Sequence, residues 1–312
     1  DFIAFSELGV AFLLFTVGLN LNLRILKEVG KVSLYTGIGQ VIFTTIIGYF
    51  LAVYLGFSSV ESIYIAIALS FSSTIVIIKL LSDKNALDSL YGKISIGFLL
   101  VQDFIAILVL IFLSGINDLS GLISVTLLKG IVLFFIAYLF NKMLLTRLFN
   151  QLAKSQELLF LSSISWCFFM AILAYQFGFS IEIGSFLAGI SLANLPYSYE
   201  INNKIRPLRD FFLVLFFILL GTQMSLASFN NILTPALILS LLVLIGNPLI
   251  VMAIIGMQRF TKRTGFFCGA TVAQISEFSL ILIILGIKLG HLSESILSMM
   301  TLIGLITIAI TS

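Results

Sequence analysis

One polar pair, Gln102-Asp103, stands near the middle of a strongly apolar run from Ile94 to Leu113. A carboxylate at the centre of a membrane-spanning helix costs about 2.5–3.5 kcal/mol even on insertion scales, so such groups typically serve as ion sites, proton relays or counter-ions. The alternative is a structural carboxylate held by a buried partner. We interpret Asp103 as a functional group, with Gln102 as its neighbour in the same site.

Two further polar clusters interrupt apolar segments at their centres. The first is Ser70-Phe71-Ser72-Ser73-Thr74, and the second is Gln274-Ile275-Ser276-Glu277. Hydroxyl groups in a helix can bond harmlessly to the preceding turn. Where a helix unwinds at mid-membrane, however, freed carbonyls can coordinate a cation, and such backbone persists only where it lines a cavity. We predict that both segments unwind, near residues 71–74 and 274–277, and cross near the bilayer centre.

These residue types suit a monovalent cation. Carboxylate, hydroxyl and carbonyl oxygens are the ligands that hard cations prefer, so Asp103 is a predicted ligand of K⁺ or Na⁺. Burial in an apolar medium favours the neutral form of a carboxyl group. A buried carboxyl that holds either a proton or a cation, never both, is a minimal exchanger. Because its two loaded forms carry the same charge, one-for-one exchange would be electroneutral.

Composition places the chain in a membrane. Of 312 residues, 60% are hydrophobic and 10% are charged, and the mean hydropathy is +1.19. A water-soluble domain could not accommodate such a composition. A net charge of +3 does not suggest nucleic acid. Cys167 and Cys268 lie in apolar runs and His291 in a loop, which predicts no zinc centre and no cofactor. An intramembrane enzyme is disfavoured, since no histidine base or second central aspartate accompanies Asp103.

About 20 apolar residues are needed to cross a bilayer, and the chain contains eleven candidate spans. The seventh is short and the last is cut at Ser312. All basic residues except Lys129 and Lys288 lie in every second connection. The positive-inside rule then predicts an external N-terminus and a cytoplasmic C-terminus. The spans are approximately 4–23, 33–55, 62–81, 93–114, 120–141, 157–177, 180–195, 208–228, 232–258, 265–287 and 293–312.

The third and tenth spans, which carry the polar interruptions, are seven spans apart and therefore cross in opposite directions. Interrupted segments at matching places in two halves indicate an inverted-repeat transporter. No long soluble linker separates any of the spans. The prediction is an all-α, polytopic helical bundle with inverted repeats, two crossed and broken helices, and a single transmembrane domain over residues 1–312.

Several motifs carry a family resemblance. Gln102-Asp103, Ser70–Leu81, Gly184–Gly189 followed by Arg206–Gln223, and Ala273–Phe278 resemble, in order along the chain, the monovalent cation:proton antiporter-2 family. The Kef-type potassium/proton antiporters, within the sodium/proton exchanger superfamily, are the branch it is most similar to.

The resemblance implies an architecture that extends beyond these residues. It implies 13 spans, so that two precede Asp1, with a mobile core at about 62–114 and 265–312. It also implies a homodimer, to which residues 120–141 and the first span would contribute, and a cytosolic nucleotide-binding regulatory domain after Ser312. A bacterial or archaeal plasma membrane is the expected location.

The same resemblance implies roles for individual residues. Asp103 would carry cation and proton, with Gln102 preceding it. Ser72, Ser73 and Thr74 match one broken helix, and Gln274, Ser276 and Glu277 the other. Glu277 could bind substrate or offset helix-end dipoles.

Three secondary candidates depart from the family pattern or lie outside its motifs. Asn247 stands where some electrogenic relatives place a lysine, which favours electroneutral exchange. Glu182 can reach the membrane interface, and Lys129 can pair with an acid or extend to lipid headgroups.

The predicted function is therefore monovalent cation/proton antiport by alternating access, without enzymatic activity. A gated K⁺ efflux system of channel type and a sodium-coupled symporter are the alternatives, although no selectivity-filter motif is present.

Overall fold

The computed structural model of the chain is helical, and its described residues include no β-strand. The structure describes residues 2–20, 23–86, 89–114, 132–133, 135–136, 139–140, 145–153, 155–177, 179, 181–222 and 229–311. The predicted all-α class is confirmed.

Fourteen α-helices are described. Numbered in chain order, they are α1 (Phe2–Asn20), α2 (Leu23–Tyr54), α3 (Ser59–Ser70), α4 (Thr74–Asp83), α5 (Leu90–Ser114), α6 (Thr146–Leu152), α7 (Gln156–Gln176), α8 (Ile181–Ala193), α9 (Ser198–Thr222), α10 (Phe229–Leu241), α11 (Asn247–Met257), α12 (Lys262–Ala270), α13 (Glu277–Lys288) and α14 (Glu294–Thr311). A five-residue π-helical segment, Leu242–Gly246, joins α10 to α11.

Five described helical stretches are long and apolar enough to cross a membrane. Shorter apolar helical stretches accompany them, namely Leu8–Leu19, Ser59–Ser70 and Ile183–Ala193. The chain is thus an integral, multi-pass membrane protein. The count of eleven spans stays a prediction, because much of the predicted span 120–141 lies outside the described residues. The five stretches are Gly30–Tyr54, Leu90–Leu113, Gln156–Gln176, Ile232–Met257 and Glu294–Thr311.

Two helices begin about ten residues earlier than hydropathy predicts. The apolar segments start at residues 33 and 208, whereas α2 starts at Leu23 and α9 at Ser198. Hydropathy marks only the part of a helix that is apolar, while polar residues with good helix propensity can continue the same helix beyond it.

The chain divides into two compact units. The first comprises residues 1–23 and 109–222, and the second residues 24–108 and 223–312. The predicted core segments 62–114 and 265–312 lie in the second unit, except for residues 109–114.

Close helix approach organises the first unit around α8, which packs against α1 and α7. A Cβ atom added to Gly189 would lie 2.2 Å from the carbonyl oxygen of Phe15, and one added to Gly184 would lie 2.3 Å from that of Met170. Small residues allow such backbone contact between membrane helices. The Gly184–Gly189 motif is therefore explained by packing on two faces of α8.

A proline accounts for the π-helical segment of the second unit. Pro248 has no N–H group, so an ordinary α-helix would leave a carbonyl in the preceding turn without its donor. In the π-helical segment the hydrogen bonds span five residues instead of four. The N–H of Asn247 donates to the carbonyl of Leu242, five residues back. Such π segments within α-helices are frequent at functional sites.

Candidate functional site

Both predicted helix breaks are present in the second unit. α3 ends at Ser70, and Phe71 is extended (φ −91°, ψ 135°) before α4 begins at Thr74. α12 ends at Ala270, and α13 begins at Glu277.

The second break differs from the predicted range 274–277. It starts earlier, at Thr271, and Glu277 is already the first residue of α13. α13 begins at Glu277 because Ser276 caps it. The hydroxyl oxygen of Ser276 accepts from the N–H of Phe278, and the backbone N–H of Ser276 donates to the hydroxyl of Ser279. A side chain that satisfies these N–H groups starts the helix immediately after it.

The two breaks lie against each other. The hydroxyl of Ser72 in the first break donates to the carbonyl of Val272 in the second, at 3.3 Å. In return, the hydroxyl of Ser279 on α13 donates to the carbonyl of Ala68 on α3. Carbonyls at a helix end lack partners within the helix, and an apolar medium offers them none. Each broken segment thus supplies a side-chain donor to a carbonyl of the other.

Asp103 on α5 meets the first break directly. Its side chain is 4% exposed, and its Oδ2 accepts a hydrogen bond of 2.9 Å from the hydroxyl of Thr74. Thr74 is the first residue of α4, so the carboxyl group also lies beside a helix N-terminus, where the backbone dipoles favour negative charge.

Glu277 is the second buried carboxyl group of this region, at 7% exposure. It is the first residue of α13, and its Oε2 accepts from the hydroxyl of Ser276 at 3.4 Å. Each carboxyl group thus lies at or beside the N-terminus of a half-helix, where the backbone dipoles favour negative charge.

The remaining predicted site residues make other contacts. The side-chain amide of Gln102 donates to Oε1 of Gln40 on α2, at 2.6 Å. Ser73 accepts from the N–H of Val76 at 3.5 Å, which is a local contact at the start of α4. Gln274 accepts from the hydroxyl of Thr311 on α14, at 2.9 Å.

Asn247 is fully buried in the second unit and forms hydrogen bonds to two other helices, α2 and α3. Its Oδ1 accepts from the hydroxyl of Thr44 at 2.7 Å, and its Nδ2 donates to the carbonyl of Leu69 in the last turn of α3 at 3.1 Å. The other two secondary candidates are less defined. Glu182 belongs to α8 in the first unit, but its side chain lies outside the described part of the chain, as does Lys129 altogether.

Sequence reasoning missed Gln40 and Thr44. Both are fully buried on α2, and both belong to the polar contacts that reach Gln102 and Asn247. A signal was present, because an amide and a hydroxyl four residues apart share one face of an apolar helix. Neither residue type is charged, and isolated polar residues of this kind are common in membrane helices.

The fold and this site define a membrane protein whose two interrupted helices meet beside a buried aspartate. Residues 1–312, the whole chain, match the family described as "Sodium/hydrogen exchanger, transmembrane". The chain belongs to this family.

Named relatives carry related descriptions. The chain is 30% identical over 288 residues to "K(+) efflux antiporter 5" of Arabidopsis thaliana, an alignment that covers 89% of this chain and 51% of the relative. It is 31% identical over 306 residues to "Putative cation/proton antiporter YbaL" of Escherichia coli K12, covering 93% and 54%. It is 25% identical over 291 residues to "Na(+)/H(+) antiporter" of Enterococcus hirae, covering 90% and 76%. The chain thus spans about half the length of the first two relatives.

A solved structure shares the fold. The chain aligns with the sodium proton antiporter MjNhaP1 of Methanocaldococcus jannaschii with a TM-score of 0.65 and 14% identity, over 98% of this chain and 81% of that one. At this identity the likeness concerns the fold alone.

Proposed function

We propose that the chain exchanges a monovalent cation, K⁺ or Na⁺, for protons across the membrane, with Asp103 holding each in turn. The single observation that supports this most is the buried contact of Asp103 with Thr74 at a helix break. The names of the relatives, which mention K⁺ efflux, cation/proton and Na⁺/H⁺ antiport, agree with this class of transporter.

The chemistry follows from the burial of the carboxyl group. An ionised carboxylate in an apolar medium is costly unless a counter-charge accompanies it. A cation or a proton can each supply that charge, and neither leaves room for the other. Thr74 donates its proton to Asp103, so the lone pairs of the same hydroxyl remain available to a cation.

Glu277 adds a second buried carboxyl group to the region, and carboxyl oxygens are ligands that hard cations prefer. In alternating access the site opens to one side at a time, and we assign this motion to the core segments 62–114 and 265–312. The neutral Asn247 leaves the exchange electroneutral, since no lysine there changes charge during the cycle.

Orientation and assembly extend the same proposal. The distribution of basic residues favours an external N-terminus and a cytoplasmic C-terminus. We also propose a homodimer, on family analogy. Native mass spectrometry from lipid nanodiscs should give twice the mass of the 34.3 kDa chain; an active species at the single-chain mass would contradict the dimer.

The proposed function is tested in proteoliposomes that contain a pH-sensitive dye. Pulses of K⁺, Na⁺ or Li⁺ at clamped voltage should each be compared with choline. When the cation is added outside, an antiporter moves it inward and moves protons outward. The vesicle lumen therefore becomes alkaline in a cation-dependent way that is insensitive to membrane potential. A channel instead moves cations without a pH change until a protonophore is added, and that outcome would refute exchange.

A further inference from the structure

Four buried side chains form a continuous line of hydrogen bonds in the second unit. Gln102 Nε2 donates to Gln40 Oε1 at 2.6 Å, and Gln40 Nε2 donates to Thr44 Oγ1 at 3.2 Å. Thr44 Oγ1 donates to Asn247 Oδ1 at 2.7 Å, and Asn247 Nδ2 donates to the Leu69 carbonyl at 3.1 Å. None of the four side chains is more than 1% exposed. Of the four, Gln40 and Thr44 have no role in the exchange described above.

The hydrogen bonds of this line can run in only one direction, because the last acceptor is the backbone carbonyl of Leu69. A backbone carbonyl can only accept, so Asn247 must turn its NH₂ group towards Leu69 and its oxygen towards Thr44. Thr44 then uses its one proton on Asn247 and can only accept from Gln40. Gln40 must therefore present its NH₂ group to Thr44 and its oxygen to Gln102.

The same logic fixes the amide of Gln102. Its NH₂ group is committed to Gln40, so its oxygen points away from the line. Among the described residues, this Oε1 atom is buried and has no hydrogen-bond partner. An unsatisfied buried oxygen costs roughly 1–3 kcal/mol, and it lies on the residue adjacent to Asp103.

We propose that Gln40 and Thr44 are positioning residues, which hold Gln102 so that its amide oxygen binds the transported cation beside Asp103. This inference rests on the proposed function. A carboxamide oxygen is a suitable ligand for K⁺ or Na⁺, whereas an amide NH₂ group in the same place would repel either ion. The line thus sets cation affinity without contributing a charge.

The Leu69 carbonyl, at which the line of hydrogen bonds ends, also connects the cation site to the helix break. Leu69 lies one residue before the end of α3, and Asn247 lies directly after the π-helical segment. Any rearrangement of this turn that releases the Leu69 carbonyl would remove the constraint on every amide along the line.

The test replaces Thr44 by valine, which has the same shape but neither donates nor accepts. The matched control is Thr45→Val on the next residue of α2, because the buried hydroxyl of Thr45 has no partner among the described residues. Thr44→Val should raise the cation KM for exchange by roughly tenfold, the loss expected for one misplaced ligand, with the maximal rate within about twofold. Thr44→Ser should restore the parental KM, and Thr45→Val should leave it unchanged.

A second variant protects the test against misfolding. Gln40→Met should raise the KM as Thr44→Val does, and in a Gln102→Leu background it should have no further effect, since Gln40 acts only through Gln102. A parental KM in both Gln40→Met and Thr44→Val would overturn the proposal, as would additive effects in the double variant. A rise in Thr45→Val as large as that in Thr44→Val would also overturn it.

Cation binding separates this inference from the proposed function. The thermal stabilisation of purified protein by K⁺ or Na⁺ measures affinity without requiring exchange. If the parental chain is stabilised by a cation but exchanges none, the antiport proposal fails while the same variants still decide the role of the line. Weaker stabilisation in Thr44→Val, but not in Thr45→Val, supports positioning; equal stabilisation in both contradicts it.

Discussion

Asp103→Asn is expected to reduce cation/proton exchange to the background of empty vesicles. Asparagine keeps the size of the side chain, and its oxygen can still accept from Thr74, so the hydrogen bond seen at 2.9 Å is retained. The substitution removes the exchangeable charge, so the side chain no longer needs a proton or a cation to neutralise it. Dye-reported pH changes on K⁺ and Na⁺ pulses, at equal protein incorporation, measure the effect.

The matched control is Glu294→Gln, which removes an exposed carboxylate at the start of α14 in the same unit. It should exchange at the parental rate. Asp103→Asn should also fold, as judged by a monodisperse elution profile and an unchanged melting temperature in detergent. Near-parental exchange by Asp103→Asn would show that another residue carries the ion, and Glu277 would be the first candidate.

Gly189→Ala is expected to lower the stability of the first unit. The added Cβ would lie 2.2 Å from the carbonyl oxygen of Phe15 and 2.9 Å from Cα of Gly18. These are backbone atoms, so α1 and α8 would have to separate. Overpacking of this kind typically costs about 1–3 kcal/mol, which thermal unfolding in detergent should show as a clearly reduced melting temperature.

Gly221→Ala in α9 serves as its control. It belongs to the same unit and is exposed, and an added Cβ would meet no atom within 4 Å. Alanine is favoured over glycine in a helix by roughly 1 kcal/mol, so this variant should melt at or slightly above the parental temperature. Equal melting temperatures for the two variants would contradict the close packing of α1 and α8.

Features that depend on local composition were accessible from the sequence. Long apolar stretches identified the membrane class, because no other environment accommodates them. The two polar interruptions predicted the helix breaks, and Asp103 was conspicuous as a carboxylate amid apolar neighbours. Each of these inferences uses only residues that are close together in the chain.

The residues at which helices begin and end were harder to predict from the sequence, because side-chain caps and local turn geometry set them. The start of α13 at Glu277 depends on the cap formed by Ser276 and Ser279, whereas hydropathy shows only that a polar cluster is present. The π-helical segment before Pro248 likewise alters the turn without altering the composition that a span requires.

The partners of the buried polar groups were decided by tertiary structure. Asp103 meets a residue 29 positions away, Gln102 one 62 positions away, and Thr44 one 203 positions away. Helical periodicity indicates which face of a segment is buried, but it does not indicate which other segment lies opposite that face. The sequence by itself determined that a buried carboxyl group and two broken helices exist. Only packing decided that Thr74 would reach Asp103 and that Gln40 would orient Gln102, because a hydrogen bond forms only where two particular faces are brought within about 3 Å.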